Sequence, residues 1–318
     1  MNLRLKLITL ACFACAAAQA QSYPSKPIRM IVPNAPAGLA DISARMIAGK
    51  LSETLGQQVV VDNRAGAGST IGTAMAVKAY PDGYTLLTVF DSHATNPHLF
   101  KNLEYDTFKD LAPISLLVRG PLLLAIHPKV GAKSVQELVQ LAKAKPGELK
   151  FATVGPGSPA RLLMEMLKSE AHVDVINVPY RGAGPAVTDL IGGHTDAIFA
   201  TIPTLNPHIK AGRLNALAIT SPKRSSVMAG LPTMNENIPG FVAESWVGML
   251  APANTPAAII ARLNGDAVKI LALPEIRARF AELGYETVGS TPAQFDKWIR
   301  GETERWGKLI RAQKITLE

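Results

Sequence analysis

Residues 28–56 read IRMIVPNAPAGLADISARMIAGKLSETLG, and this stretch decides the fold class. Its first five residues are short and apolar, as a strand buried on both faces is. Residues 41–55 then repeat apolar side chains at helical spacing, begin at Asp41, a good N-cap residue, and stop at Gly56. A buried strand followed by an amphipathic helix is the repeating unit of parallel sheets with crossover helices. The stretch therefore predicts an α/β fold.

The same alternation continues through most of the chain. Further strands are predicted at 59–62, 85–90, 122–126, 149–153, 175–178, 197–200, 214–220 and 246–250, and further helices at 134–145, 256–273, 274–283 and 292–312.

The length of the chain predicts two lobes, because chains beyond roughly 250 residues usually split. Prolines flank the strands at 122–126 and 246–250, so we expect the chain to cross between lobes near Pro121 and Trp246. Lobe 1 would then comprise residues 21–121 plus 247–318, and lobe 2 residues 122–246. Such a discontinuous arrangement permits hinge closure on a ligand.

Residues 1–20 have the pattern of a secretory signal peptide. Arg4 and Lys6 precede an apolar run, and Ala18-Gln19-Ala20 supplies a cleavage site. We therefore expect cleavage after Ala20 and a periplasmic mature protein. No later stretch approaches about 18 uncharged apolar residues, so no membrane span is predicted in the mature chain.

Cysteine content and charge exclude several classes of function. Both cysteines, Cys12 and Cys15, leave with the signal peptide, so the mature chain can have no disulfide, thiolate metal site or cysteine nucleophile. Loss of Arg4 and Lys6 lowers the formal net charge from +8 to +6. This mild positive charge suits small anions, whereas the scattered cations and sparse aromatic residues argue against nucleic-acid binding.

The candidate site lies in the loops that follow strands, because ligands of open α/β sheets bind outside the carboxyl ends of the strands. Several of these loops are small and polar, and some lead directly into a helix, whose N-terminus is a ready anion site. The candidate ligand-binding residues are Asn34, Ala35, Ala37, Gly38, Leu39, Asp41, Ser92, His93, Thr95, Asn96, Thr153, Gly155, Gly157, Ser158, Arg161, Tyr180 and Arg181.

Other interpretations of these loops are weaker. Asp91 and His93 are too close in sequence to converge as in a catalytic triad, and the chain has no G-x-S-x-G elbow. The glycines at 66–72 follow Asp62, which reverses the order of a dinucleotide site. His93 and His98 lack a third metal ligand. We therefore predict a binding protein without cofactor or metal, and keep a periplasmic hydrolase using His93 and Asp91 as the alternative from another class.

Arg161 has two interpretations of equal weight. Ser158 is a good N-cap and Pro159 suits the first helical position, so Arg161 falls in the first turn, where its charge opposes the helix dipole. An anionic ligand between Arg161 and the helix N–H groups would compensate for this placement. Pairing with Glu165, one turn later, would do so equally well.

At these loops the sequence resembles the Bug family, the extracytoplasmic solute receptors of tripartite tricarboxylate transporters. The resemblance runs from residue 23 to about residue 306. It rests on the order and spacing of YPSKPIRMIVP, DNRAGAGSTIGT, YPDGYTLL, LAPISLL, VPYRGAGPAVTDLIGGHTDAIF, GRLNALAITSPKR and LPTMNE.

The resemblance implies a type II periplasmic-binding fold with Venus-flytrap closure, and a carboxylate gripped by the first strand-to-helix loop, residues 34–41. The family commonly carries P-G-G-G-T-D there, whereas this chain has Pro-Ala-Gly-Leu-Ala-Asp at 36–41, which could narrow that end of the pocket. In the loop before Arg161 the family commonly has histidine at that position. An arginine could recognise a carboxylate by two parallel hydrogen bonds.

The predicted function is capture of a small organic carboxylate, either a dicarboxylate or an aromatic or heterocyclic acid. The predicted partners are this carboxylate and the membrane subunits of a tripartite tricarboxylate-type transporter. The alternative within binding proteins is an orphan sensor that presents its closed form to a sensor kinase. We expect a monomer.

Overall fold

The computed structural model describes residues 23–155 and 157–316. The predicted signal peptide and its cleavage site lie outside these residues. Five strands form a first sheet in the order β2-β1-β3-β9-β4, and a two-residue strand, β10, adds to β4. Their bounds are β1 (Ile28–Val32), β2 (Val59–Asn63), β3 (Thr85–Phe90), β4 (Leu111–Ile126), β9 (Glu244–Pro252) and β10 (Glu286–Thr287).

The second sheet uses the end of β4 together with four further strands, β5 (Lys150–Val154), β6 (Ile176–Tyr180), β7 (Ala197–Thr201) and β8 (Asn215–Ile219). In this sheet β4 pairs with β7 and β8, and β5 lies between β7 and β6. The pairs β1–β2, β1–β3, β5–β6 and β5–β7 are parallel, as the strand–helix alternation predicts, whereas β4 and β9 run antiparallel to their neighbours.

Helices cover both faces of each sheet. In chain order they are α1 (Leu39–Leu55), α2 (Thr70–Val77), α3 (Ser92–Leu99), α4 (Val135–Ala144), α5 (Pro159–Ala171), α6 (Ala183–Ile191), α7 (Ile202–Lys210), α8 (Met234–Asn237), α9 (Ala257–Ala272), α10 (Pro274–Glu282) and α11 (Pro292–Ala312). No helix among the described residues combines the length and apolar character that a membrane crossing needs.

β4 joins the two sheets, because it changes its pairing partners in the middle of its length. Residues 111–121 pair with β9, and residues 122–126 pair with β7 and β8. At this crossing Gly120 lies so close to Tyr285 that an added Cβ would be 2.6 Å from its ring. The division of the chain at 121 and 246 stays a prediction, and this change of partners supports it.

The hydrophobic core is divided accordingly. One cluster packs α1, α9 and α10 on the first sheet, and another packs α4 and α5 on the second. The C-terminal helix α11 contributes to both sides of the division: Phe295 and Ile299 pack against Trp246, whereas Trp306 and Ile310 join the core of the second sheet. Residues 292–315 therefore pack against both lobes, an arrangement that the strand pattern did not indicate.

Several elements differ from the sequence predictions, and three of the differences concern β4, α3 and α1. β4 begins at Leu111 rather than 122, and register shifts at 113–115 and 116–118 accommodate the proline that obscured its pattern. Residues 92–99 form helix α3 rather than a loop, although they are weak helix formers, because the helix packs against α11, where His98 Nε2 lies 2.9 Å from the Thr303 carbonyl oxygen. α1 begins at Leu39 instead of 41, after Gly38.

Candidate functional site

A cavity of about 570 Å³ lies between the two lobes, and we call it the cleft. The first lobe contributes loops and helix ends near β1, β2 and β3, and the second contributes those after β5, β6 and β7. Its lining residues are Asn34, Ala67, Gly68, Ser69, Phe90, Ser92, Asn96, Phe100, Leu122, Val154, Gly155, Gly157, Ser158, Pro159, Ala160, Ala183, Phe199, Ala200, Thr201 and Thr204.

The N-termini of five helices converge on the cleft. Lining residues lie at the starts of α2, α3, α5, α6 and α7, namely Ser69, Ser92, Ser158, Ala183 and Thr201. The first N–H groups of a helix have no partner within the helix, and the helix dipole adds a partial positive charge there. The arrangement therefore concentrates positive potential and backbone donors in one cavity, which suits an anion.

Among the described residues, those that line the cleft include no aspartate, glutamate, lysine, arginine or histidine. Hydroxyl and amide groups supply its side-chain polarity. Asn34 Nδ2 and Ser92 Oγ both donate to Ser69 Oγ, at 3.2 Å and 3.1 Å, and Asn96 Nδ2 donates to the Gly68 carbonyl oxygen at 2.9 Å. Asn34 Oδ1 is buried without a partner among the described atoms. Any charge on a ligand must therefore be balanced by backbone dipoles and neutral donors.

Phenyl rings form much of the apolar wall. Phe90 and Phe100 come from the first lobe and Phe199 from the second. Phe199 is held by ring stacking, with centroids 6.1 Å from Phe151 and 5.9 Å from Phe241. The cleft can therefore bury an apolar ligand body between its polar ends.

One hydrogen bond crosses between the lobes at the edge of the cleft. Thr95 Oγ1, on α3, donates to the Gly157 carbonyl oxygen at 3.1 Å. Gly157 itself is so close to Leu99 that an added Cβ would lie 2.6 Å from Leu99 Cδ1. The lobes thus touch at α3 and the loop before α5, next to the lining residues.

Six of the predicted site residues line the cleft: Asn34, Ser92, Asn96, Gly155, Gly157 and Ser158. Ser158 also has its predicted capping role, since its Oγ accepts from Arg161 N at 3.3 Å. Eleven others are not among the lining residues: Ala35, Ala37, Gly38, Leu39, Asp41, His93, Thr95, Thr153, Arg161, Tyr180 and Arg181.

The first loop reaches the cleft only through Asn34. Leu39 is buried in the core with α1, and the Asp41 carboxylate accepts hydrogen bonds from Ala37 N and Arg45 Nε at 2.9 Å and 3.0 Å. Burial would raise the pKa of Asp41, but these bonds and one from Asn63 outweigh it and lower the pKa. Asp41 therefore serves to hold the loop. Ala37 has a left-handed φ of 66°, a conformation suited to the glycine that the family commonly carries there.

His93 and Asp91 do not line the cleft and do not form a hydrogen-bonded catalytic pair. Asp91 accepts hydrogen bonds from Ser245 Oγ at 2.7 Å and Trp246 N at 3.1 Å, and burial raises its pKa. His93 is only 2% exposed, both ring nitrogens lack a partner within the described part of the chain, and burial lowers its pKa to about 4. His93 is therefore neutral at pH 7. The described residues contain no group of three potential metal ligands.

Arg161 forms an ion pair with Glu165, the second of the two interpretations open at the sequence level. Its Nη2 lies 2.8 Å from Glu165 Oε1, and the Glu165 side chain is only 7% exposed. Tyr180 is likewise engaged, since its hydroxyl donates to Asp189 at 2.7 Å, and burial followed by this bond raises its pKa to about 12. Thr153 Oγ1 donates to Asn177 at 2.6 Å, and Arg181 is exposed.

Sequence reasoning missed several lining residues, among them Ser69, Ala183, Thr201 and the three phenylalanines. Ser69 lies in the glycine-rich stretch 63–72, which does not fit a phosphate-binding motif but does precede a helix. Thr201 follows the predicted strand at 197–200, so the rule that ligands bind at strand ends would have found it. Phe90 and Phe199 lie in predicted strands, but a strand pattern does not show which of its side chains line a cavity between the lobes.

The family profile described as "Tripartite tricarboxylate transporter family receptor" matches residues 43–315. The chain belongs to this family. Among relatives of the family, Protein BugT of Bordetella pertussis is 39% identical over 319 residues, which cover 98% of each chain. The resemblance to Bug receptors noted in the sequence is thereby confirmed.

Solved structures of the family share the fold. R. palustris Rpa4515 with adipate has a TM-score of 0.87 at 32% identity, covering 93% of this chain and 100% of its own. MatC (Rpa3494) from Rhodopseudomonas palustris with bound malate has a TM-score of 0.82 at 30% identity, covering 91% and 100%. The predicted two-lobed periplasmic-binding fold is confirmed, and the family consists of receptors rather than enzymes.

Proposed function

We propose that the protein is a periplasmic receptor that captures a small organic carboxylate in the cleft for a tripartite tricarboxylate-type transporter. The observation that carries the proposal is the convergence of five helix N-termini on a cavity whose described lining residues carry no charged side chain. Helix N-termini stabilise a carboxylate without a counter-charge on a side chain. The adipate and malate seen in two family members support the carboxylate class.

The apolar wall narrows the proposed ligand class. A cavity of about 570 Å³ with three phenylalanine side chains in its lining favours an acid with an apolar body, such as an adipate-like dicarboxylate or an aromatic or heterocyclic acid. Short acids rich in hydroxyl groups would leave the phenyl rings without apolar contacts. We therefore expect adipate and benzoate-type acids to bind more tightly than malate.

The ligand contacts are proposed to come from both lobes. Asn34, Ser69 and Ser92 would donate from the first lobe, and the N-termini of α5, α6 and α7 from the second. Ligand binding would then draw the lobes together about the crossing near Pro121 and Trp246. X-ray scattering tests this step, because the radius of gyration should fall when the acid is added.

A thermal-shift screen of the purified protein tests the function. The panel contains adipate, benzoate, nicotinate and malate, with glucose and putrescine as uncharged and cationic controls. A ligand that binds only the folded state at 100-fold excess over Kd stabilises it by about 2.7 kcal/mol. Stabilisation by at least one acid and by neither control is expected. A response to glucose or putrescine, with none to the acids, would contradict the proposal.

A further inference from the structure

A second cavity, of about 850 Å³, lies at the crossing between the lobes, and we call it the crevice. The loop after β8 forms one wall, and α10 with the loop leading to β10 forms the other. Gly120 and Pro121 of β4 line it between these walls. Pro121 lines the crevice and the next residue, Leu122, lines the cleft. The two cavities therefore meet at consecutive residues of β4, at the crossing between the lobes.

The crevice is lined by charged side chains, unlike the cleft. Four cations and two carboxylates contribute to its surface, namely Arg119, Lys223, Arg224, Arg277, Glu244 and Glu286. Arg119 is engaged by the two carboxylates, at 2.7 Å from Glu286 and 3.7 Å from Glu244. Arg224 is engaged by Glu236, outside the crevice, through two hydrogen bonds.

Lys223 and Arg277 are the cations of the crevice that have no acidic partner. Among the described residues, neither side chain forms a salt bridge, and both are exposed. Lys223 belongs to the wall after β8, where Ser221 Oγ donates to its carbonyl oxygen at 2.7 Å, and Arg277 belongs to α10 on the opposite wall. One unpaired positive charge therefore faces the cavity from each lobe.

We propose that the crevice is a second anion site, which takes a small polyanion of the phosphate-ester or polycarboxylate class between Lys223 and Arg277. Two negative groups on one molecule would match two cations on opposite walls. The existing pairs hold Arg119 and Arg224 in place, so the lining is fixed around the site before the anion arrives. Affinity must fall with ionic strength, because both cations are exposed to solvent.

The position of the crevice couples it to the cleft. One wall of the crevice belongs to each lobe, so a rotation of the lobes about the crossing that closes the cleft also moves the crevice walls relative to each other. We expect an anion that bridges Lys223 and Arg277 to resist this movement and therefore to favour the open cleft. Because coupling between two binding sites is reciprocal, the polyanion and the cleft acid must weaken each other's binding by the same factor. This coupling, unlike the site itself, rests on the proposed function of the cleft.

The test is calorimetric titration of the intact mature protein with inorganic pyrophosphate at low ionic strength. The Lys223→Gln, Arg277→Gln double variant removes both unpaired cations. The matched control, Lys143→Gln with Lys269→Gln, removes two exposed cations that lie outside the crevice. We expect the control to bind pyrophosphate like the wild type, and the crevice variant to bind at least about tenfold more weakly.

A second titration measures the cleft acid from the thermal-shift screen with and without saturating pyrophosphate. Pyrophosphate should lower the affinity for the acid several-fold in the wild type and leave it unchanged in the crevice variant. Equal pyrophosphate binding by the crevice variant and the control, or no binding by the wild type, would overturn the site. An unchanged acid affinity would overturn the coupling. If no acid binds at all, the first titration still decides the crevice separately from the cleft.

Discussion

The cleft and the crevice meet at consecutive residues of β4, and each is proposed to bind an anion in a different way. The cleft has no charged side chain among its described lining residues and collects the N-termini of five helices, whereas the crevice is lined by six charged side chains. Backbone dipoles are fixed by the fold and shielded from solvent, so they need no reorganisation when a ligand binds. Exposed side-chain charges are mobile and screened by salt. The comparison predicts that adding a charged side chain to the cleft weakens ligand binding strongly. Removing a charged side chain near the cleft should change the affinity little.

The largest expected effect comes from placing a negative charge in the cleft. Ala183→Glu adds a carboxylate at the N-terminus of α6, beside the proposed position of the ligand. At about 5 Å and an effective dielectric constant of about 20, the repulsion is about 3 kcal/mol, so calorimetry should show a loss of affinity of roughly 100-fold. Fold stability should hold or rise by about 0.3–1 kcal/mol, because a glutamate suits a helix N-terminus.

Ala183→Gln is the matched control for size. It should bind the acid far better than Ala183→Glu does. Equal losses in both variants would show that bulk and not charge is excluded, and the proposed role of the helix N-termini would fail.

His93, close to the cleft, is also uncharged at pH 7, and the pH dependence of the free energy of unfolding tests this. Burial lowers the pKa of His93 from 6.5 to about 4. Between these two pH values the unfolded chain binds a proton at His93 that the folded chain does not bind. The stabilising effect of the neutral ring is therefore complete above pH 6.5 and is lost as the pH falls towards 4. Linkage gives a loss of about 3 kcal/mol over this window relative to His93→Gln.

Urea unfolding of both proteins at several pH values measures the difference. The wild type should lose stability relative to the variant between pH 6.5 and 4. The NMR titration of His93 in the intact protein is an independent check, and an ordinary pKa near 6.5 would show that the ring is exposed or paired.

Arg161 lies beside the cleft, and its ion pair with Glu165 predicts that it contributes little to ligand affinity. Arg161→Ala should leave affinity for the acid within about twofold. It should lower the free energy of unfolding by about 1–3 kcal/mol, because a mostly buried Glu165 loses its closer partner and keeps only Lys168, at 4.0 Å. A tenfold loss of affinity with unchanged stability would instead restore Arg161 as a ligand contact.

The smallest effect concerns the first loop, which reaches the cleft only through Asn34. Ala37→Gly removes a Cβ from a residue with φ of 66° and should raise the free energy of unfolding by up to about 1 kcal/mol. Affinity for the acid should stay the same, since Ala37 does not line the cleft. A marked gain in affinity would show that this loop grips the ligand after all.

The sequence predicted the fold better than the site, for a physical reason. Buried parallel strands and amphipathic helices carry local patterns, so the strand at 28–32 and the N-cap Ser158 could be identified from neighbouring residues alone. The helix at 92–99 could not, because its stability comes from packing against α11 rather than from its own composition.

The site was harder to predict because the proposed ligand contacts come largely from the backbone. Reasoning from side chains favoured His93, Arg161 and Tyr180, which are buried or engaged by other residues. Ala183 lines the cleft because it lies at a helix N-terminus, and the residue type alanine does not indicate such a position. Phe199 lies in a predicted strand, and it becomes part of a cleft only because the other lobe lies opposite it.

Hydrogen exchange measured by mass spectrometry, with and without the acid identified in the screen, tests the central claim most directly. The account predicts slower exchange of the backbone amides at the helix starts in both lobes, in peptides covering residues 66–72, 157–162, 181–186 and 201–205. Residues 221–225 and 277–287, at the crevice, should show no such protection. Protection confined to the crevice, or to one lobe only, would contradict the claim that helix N-termini of both lobes hold the ligand.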